Sequence, residues 1–206
     1  KLTNVGAQAW TKQTGLLSLW ILGQFQASPN ATIAIPIHQG PVSELGEPVN
    51  SDYFGTIPPD RLLTKPNMIY FKADARYRSK VGINPLRATG ILCSYGAENN
   101  LLTLVQCTPP KGKPEYVNSA WKIQDHPYQG DSENAYNDGP QSSGGPQLGN
   151  FYEMETSSPA AALDPNHSIE HVHRTFHFEG SKEELDKVAS KTLGVGLDEI
   201  HNALPR

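Results

Sequence analysis

Residues 89–107, "TGILCSYGAENNLLTLVQC", decide the fold class. Two short segments rich in Ile, Leu, Val and Tyr flank the polar "YGAENN", which reads as a hairpin loop. The segments it joins should be antiparallel neighbours. The same rhythm runs through the chain, with short Val-, Ile-, Thr-, Tyr- and Phe-rich segments punctuated by 18 Gly and 17 Pro. It predicts an all-β sandwich. The strand segments are 2–10, 17–26, 31–37, 68–73, 88–94, 101–107, 119–124, 150–155 and 168–179. Residues 38–66 and 125–149 read as long loops, the first rich in proline and the second poor in aliphatic side chains. Loops of that length in a compact domain are functional or disordered.

Helix is expected only at the end. Ser181 stands three residues before Glu184, the spacing of a capping box. Leu185, Val188, Ala189 and Thr192 follow at helical intervals, and Gly194 can end the helix. Leu197, Ile200 and Leu204 stripe a second, shorter helix. Each helix has one narrow apolar face, so both should dock on the outside of the sandwich. The chain therefore divides into a sandwich, 1–180, and a helical extension, 181–206.

A length of 206 residues suits one core. The net charge of −4, with 18% charged residues, lacks the clustered basic footprint of a nucleic-acid binder. The surface should be rich in neutral polar groups, which suits hydroxyl-rich ligands such as sugars, and also any secreted domain. The longest apolar run, "GLLSLWILG", is far shorter than the roughly 20 residues of a spanning helix. The chain opens on "KLTNVGAQAW" without methionine, so a processed or truncated N-terminus is expected. Cys93 and Cys107 could pair across adjacent strands or remain buried free thiols.

Alternation along a strand sorts the candidate chemistry. In "EHVHRTFH", 170–177, His171, His173, Thr175 and His177 share one face. Val172, Arg174, Phe176 and, just beyond, Phe178 share the other, which should meet the core. An H-x-H pair can chelate a metal because both imidazoles project the same way. With Glu179 on the same face, a metal-dependent cupin-like enzyme is one alternative. The plainer account is a polar sheet face with hydrogen-bonded imidazoles.

In "NFYEMETSSPA", 150–160, Glu153 and Glu155 share a face opposite Tyr152 and Met154. Two carboxylates about 7 Å apart along a strand could form an acid–base pair, or be solvated or ion-paired. In "FKADARYRSKVG", 71–82, strand spacing puts Arg76, Arg78 and Lys80 on one face, with Lys72 nearby. They could partner the glutamates, bind an anionic ligand, or lie in a surface loop. Trp10, Trp20 and Trp121 are candidates for stacking on sugars or for the core.

The run "FYEMETSSPAAALDPNHSIEHVHRTFHFEG", 151–180, resembles the closing strands of the galactose mutarotase-like supersandwich of the aldose 1-epimerases. Those enzymes carry Leu-Glu-Thr-Gln, a proline, a Pro-Gly-Glu turn and a final strand. Met154-Glu155-Thr156-Ser157, Pro159 and "LDPNHSI" are similar to these in turn. A bacterial branch of the superfamily resembles nearly the whole chain, through "WTKQTGLLSLWILG", "YRSK", "AYNDG" and "FYEMETSSPA".

The resemblance implies that Glu155 is a catalytic base taking the proton of an anomeric hydroxyl. The family's acid, the histidine of Leu-Thr-Asn-His, should protonate the ring oxygen. Here Leu2-Thr3-Asn4 is followed by Val5, which has no proton to give. His126 or one of the clustered histidines could substitute. A complete supersandwich needs about 300 residues, so the chain should be its C-terminal two-thirds, completed by another chain or segment.

The implied function is a carbohydrate-binding or carbohydrate-active domain. Its catalytic residue is Glu155, and its substrate-binding residues are Glu153, Lys80, Asn137, Asp138, His173 and Arg78. The partner is a small-molecule carbohydrate, with no nucleic acid, no membrane span, no metal and no cofactor. The alternatives are the cupin-like enzyme on His171, His173 and Glu179, and a non-catalytic interaction domain.

Overall fold

The structure, a computed structural model, describes residues 1–120, 122–141 and 145–205. The hairpin at 89–107 forms: β7 (Ile91–Gly96) and β8 (Leu101–Cys107) pair antiparallel, with Cys93 opposite Leu104. Around them a six-stranded antiparallel sheet is completed by β3 (Thr32–Pro36), β4 (Leu62–Lys65), β5 (Met68–Lys72) and β12 (His173–Glu179), in the order β12-β8-β7-β3-β5-β4. A four-stranded antiparallel sheet faces it, β2-β10-β9-β6, built from β2 (Trp20–Gln26), β6 (Ser79–Ile83), β9 (Glu133–Asn137) and β10 (Phe151–Ser157). The protein is all-β with short helices. One of these, α1 (Val42–Leu45), lies in the 38–66 loop.

Ile33, Ile35, Phe71, Leu92 and Val105 of the larger sheet meet Val81, Ile83, Ala135, Tyr152 and Met154 of the smaller in one buried cluster. The larger sheet is apolar on both faces. Its outer face, with Ala34, Met68, Tyr70, Cys93 and Leu102, is covered by α2 (Lys182–Leu193) and α3 (Leu197–Asn202) through Leu185, Ala189, Leu193, Leu197 and Ile200. Burial on both sides is why "MIYFK" shows no alternation. The Ser181 hydroxyl accepts the Glu184 N–H and the Glu184 carboxylate accepts the Ser181 N–H, closing the capping box. Gly194 ends α2 at φ 77°, a left-handed conformation that glycine adopts without strain.

Several segments differ from the sequence-based expectation. Of 2–10 only β1 (Leu2–Thr3) is strand, and 168–179 splits into β11 (Ser168–Ile169), which pairs with β1, and β12. The described part of 119–124 forms no strand, and Trp121 lies outside the described residues. β4 and β9 fall inside the two expected loops. Cys93 and Cys107 are free and buried. Alternation explains why they do not pair: Cys93 faces the helices, whereas Cys107 shares the inward face of Val105.

On β9, Glu133 also points inward, and it is fully buried. One carboxyl oxygen accepts the Gly90 N–H at 2.6 Å, and the other has no partner among the described residues. Burial pushes this carboxyl up to about 8 from its ordinary 4.5, against the pull of the Gly90 bond. Between these values the unfolded chain gives up a proton that the folded chain keeps. The contribution to stability is therefore complete below the lower value and is lost as pH rises through the upper. Glu133→Gln should flatten this dependence. In urea titrations between about pH 5 and pH 8 the variant should gain on the parent by at least about 1 kcal/mol. Parallel pH curves for the two proteins would show that Glu133 is ionised in the fold.

Candidate functional site

β10 lies between β2 and β9, so its faces are fixed by both neighbours. Tyr152 and Met154 enter the core, and Phe151, Glu153 and Glu155 project from the outer face. Glu155 sits between Leu22 and Asn134, and Glu153 between Gln24 and Tyr136. β6 brings Lys80 opposite Tyr136. The 38–61 segment folds Tyr53 and Phe54 over this surface. An open pocket results, walled further by Trp20, Leu22, Arg78, Ser119, Ala120 and Leu148.

The floor is a buried ion pair. Lys80 Nζ lies 2.8 Å from Glu155 Oε2, with the side chains 5% and 1% exposed. The Trp20 indole N–H donates to the same oxygen at 2.8 Å. The ammonium stands 4.9 Å from the Trp20 ring centroid and 5.2 Å from that of Tyr53, so aromatic faces replace part of its lost water. Tyr53 is held in turn: its hydroxyl donates to Asp131 Oδ2 at 2.6 Å and accepts from Asn134 Nδ2 at 2.9 Å. Asn50 donates to the same Asp131 oxygen at 2.9 Å. This needs Gly82, because a Cβ there would stand 2.0 Å from Asp131 Oδ2.

Glu153 is different. It is half-buried and makes no hydrogen bond or ion pair among the described residues. Burial, then the neighbouring Glu155 charge, raises its carboxyl to about 7, with Lys80 pulling the other way. At the other end of the pocket the Arg78 guanidinium lies 4.3 Å from the Phe54 ring centroid. Its Nε–H donates to the Tyr136 hydroxyl at 3.2 Å, and that hydroxyl donates to Asp138 at 2.7 Å.

Of the expected site residues, Glu155, Glu153, Lys80 and Arg78 meet in the pocket, with Trp20. Three others, Asn137, Asp138 and His173, do not line it. Asn137 is fully buried and spent on backbone: it accepts the Ala75 N–H and donates to the Tyr77 and Asp138 carbonyls, holding the turn before β6. Asp138 is fully buried beneath Tyr136, accepting its hydroxyl and the Gly149 N–H. His173 lies on the inner side. Its Nδ1 is 2.9 Å from the Thr156 hydroxyl, which His171 Nε2 also approaches, at 2.8 Å. Thr156 faces away from Glu155, as strand alternation requires.

The histidine face of β12 thus looks toward the smaller sheet, with His177 5.9 Å from Phe25. Phe178 packs on the helix side instead. Burial holds His171 and His173 below the usual imidazole range. Glu179 pairs opposite Leu101, at the far end of β12 from His173. Among the described residues no group of three or more His, Cys, Asp or Glu is placed to hold a metal ion. Val5 is 86% exposed and His126 is exposed outside the pocket.

Tyr53, Phe54, Tyr136 and Phe151 went unnoticed in the sequence. Phe151 could have been found, because it alternates with Glu153. Tyr53 and Phe54 come from the proline-rich loop, where no periodicity marks them.

The buried pair makes a thermodynamic prediction. Lys80→Met leaves Glu155 charged and without its cation, and should cost about 3–5 kcal/mol in denaturant unfolding. The double change Lys80→Met with Glu155→Gln should recover at least about 1 kcal/mol of that loss. Strict additivity of the two would mean that the charges do not interact.

No curated protein and no solved structure matches the chain. A family match runs over residues 1–204, almost the whole length, and its description is that of a family of unknown function. On that match, the chain belongs to the family DUF6786.

Proposed function

We propose that the pocket binds a carbohydrate, and that the chain is a galactose mutarotase-like protein that binds or acts on sugars. The observation that carries this is the free carboxyl of Glu153 beside the ion-paired Glu155 in an aromatic-walled pocket. A sugar ring has an apolar C–H face and a rim of hydroxyls. Trp20, Tyr136 and Phe151 suit the first, and the charged floor suits the second.

The chemistry assigned to the pocket is acid–base work at an anomeric centre. The Glu155 carboxylate takes the proton of the anomeric hydroxyl as the bond from that carbon to the ring oxygen breaks. The ring oxygen takes a proton from Glu153, leaving an open-chain aldehyde. Reclosure on the other face returns both protons. Glu153 fills the donor role that Val5 cannot, and a group near 7 is suited to both giving and taking a proton at neutral pH. A second possibility, binding without turnover, is favoured by the double hold of Lys80 and Trp20 on Glu155.

Ligand-observed NMR against a panel of monosaccharides tests the binding. Trp20→Ala should weaken the best ligand about tenfold. Equilibration of α-glucose and α-galactose, followed by NMR, tests turnover: acceleration should vanish in Glu155→Gln and in Glu153→Gln. Binding without acceleration selects the non-catalytic possibility, and no binding to any member of the panel ends the proposal.

A further inference from the structure

We infer that the outer end of the pocket is an anion subsite, in which Arg78 receives a carboxylate or phosphate group carried by the sugar. This rests on the carbohydrate proposal and names the class of sugar.

Arg78 is a cation without a counter-ion. No carboxylate lies within ion-pair distance of it among the described residues, whereas Arg61 pairs with Asp74 and Lys80 with Glu155. The nearest acid along its hydrogen bonds is Asp138, one hydroxyl away and already accepting from Tyr136 and Gly149. Only Nε is used. Nη1 and Nη2 make no hydrogen bond among the described residues, and neither is a buried atom without a partner, so both are accessible on a side chain that lines the pocket.

The side chain is also held in place. Phe54 stacks on the guanidinium, and Tyr136 fixes its edge. A planar fork pre-set in this way, with its two terminal nitrogens free, matches the two oxygens of a carboxylate or phosphate. An arginine serving only as surface charge would leave such a fork to water, and holding it against a ring would gain little.

The rest of the pocket's charge agrees with one added anion. Lys80 and Glu155 cancel at the floor, which leaves Arg78 and the half-titrated Glu153 as the uncompensated groups. Arg78 stands two residues before Lys80, about 7 Å away along the strand. That is close to the length of a hexose, so a ring over the Glu155 floor would carry its charged substituent at the end remote from Glu155. Uronates and sugar phosphates both have that shape. The other groups facing Glu153 are Glu155 and Lys80 from β10 and β6, and Asp138 at the end of β9. An anion in the pocket therefore favours the protonated form of Glu153.

Calorimetry with glucuronate, galacturonate, glucose 6-phosphate, galactose 6-phosphate and their neutral parents tests this, with inorganic phosphate as a control. One acidic series should bind at least about 30-fold more tightly than its neutral parents, and which one identifies the anion. Arg78→Met keeps the contact with Phe54 and should abolish this preference, bringing the affinity for the acidic sugar down to that for its neutral parent in the same variant. Arg78→Lys should restore only part of it, for want of the fork. Affinity for the acidic ligand should fall as pH rises through about 7, where Glu153 loses its proton. Equal affinity for acidic and neutral sugars, or a preference that survives in Arg78→Met, overturns the subsite and leaves the carbohydrate proposal standing. Phosphate binding that needs Arg78, with no sugar bound, keeps the subsite and overturns the carbohydrate proposal.

Discussion

β10 has hydrogen-bonded neighbours on both sides, and its two-residue period gives each side chain one face and no other. Everything around the pocket follows from that register. With Tyr152, Met154 and Thr156 inward, Glu153 and Glu155 must project outward. A slip of one residue would drive two carboxylates into the core and expose a methionine. The Tyr152 hydroxyl lies 2.7 Å from that of Ser94 on β7, a hydrogen bond across the two sheets that holds the register from within. The helices then distinguish the layers. They cover the larger sheet and leave the outer face of the smaller one to the loops that carry Tyr53 and Phe54.

The pocket so placed is built from charges already stripped of water. An ion pair with side chains 5% and 1% exposed has lost most of its hydration, and such pairs stabilise a fold poorly. Here the loss is offset by a third donor, Trp20, and by two aromatic faces over the ammonium. Around this floor little can move. Tyr53 is tied to Asp131, and Asp131 is tied to Asn50 and fitted over Gly82. These ties fix Tyr53 over the floor by hydrogen bonds rather than by packing alone. Glu153 and Arg78 are the exceptions, because each has hydrogen-bonding capacity that no described residue uses.

How much of this was written in the sequence depends on whether burial and polarity agreed. The hairpin at 91–107 and helix α2 were legible because their periodicity and end signals matched their surroundings. Glu153, Glu155, Lys80 and Arg78 were legible as faces of strands, since alternation survives whatever lies above the sheet. β9 was not. "ENAYN" is buried along its whole length, yet it reads as a loop, because a polar side chain such as that of Asn134 finds its partners, Tyr53 and Val81, far away in sequence. Asn137 and Asp138 misled for the same reason: a turn held by a buried amide looks, as sequence, like a polar site. The histidines of β12 misled in the opposite direction. Alternation grouped them correctly, but the strand is a sheet edge, and a polar face at an edge can turn toward a neighbouring sheet and find a hydroxyl such as Thr156 there.

β9 and β10 each carry a fully buried carboxyl, on opposite faces of the sheet, and the two are accommodated in different ways. Glu133, inside, has one N–H donor and no cation, so the carboxyl holds its proton. Glu155, outside, is ion-paired with a lysine and accepts an indole N–H. The choice is set by which strand lies alongside: β6 offers Lys80 on the outer face and Val81 and Ile83 on the inner. A protonated acid sealed between sheets has no route to a ligand and acts on folding alone. An ion-paired one at the floor of an open pocket meets whatever enters. That asymmetry, more than the number of acidic residues, is why the proposed site lies on the outer face of the smaller sheet.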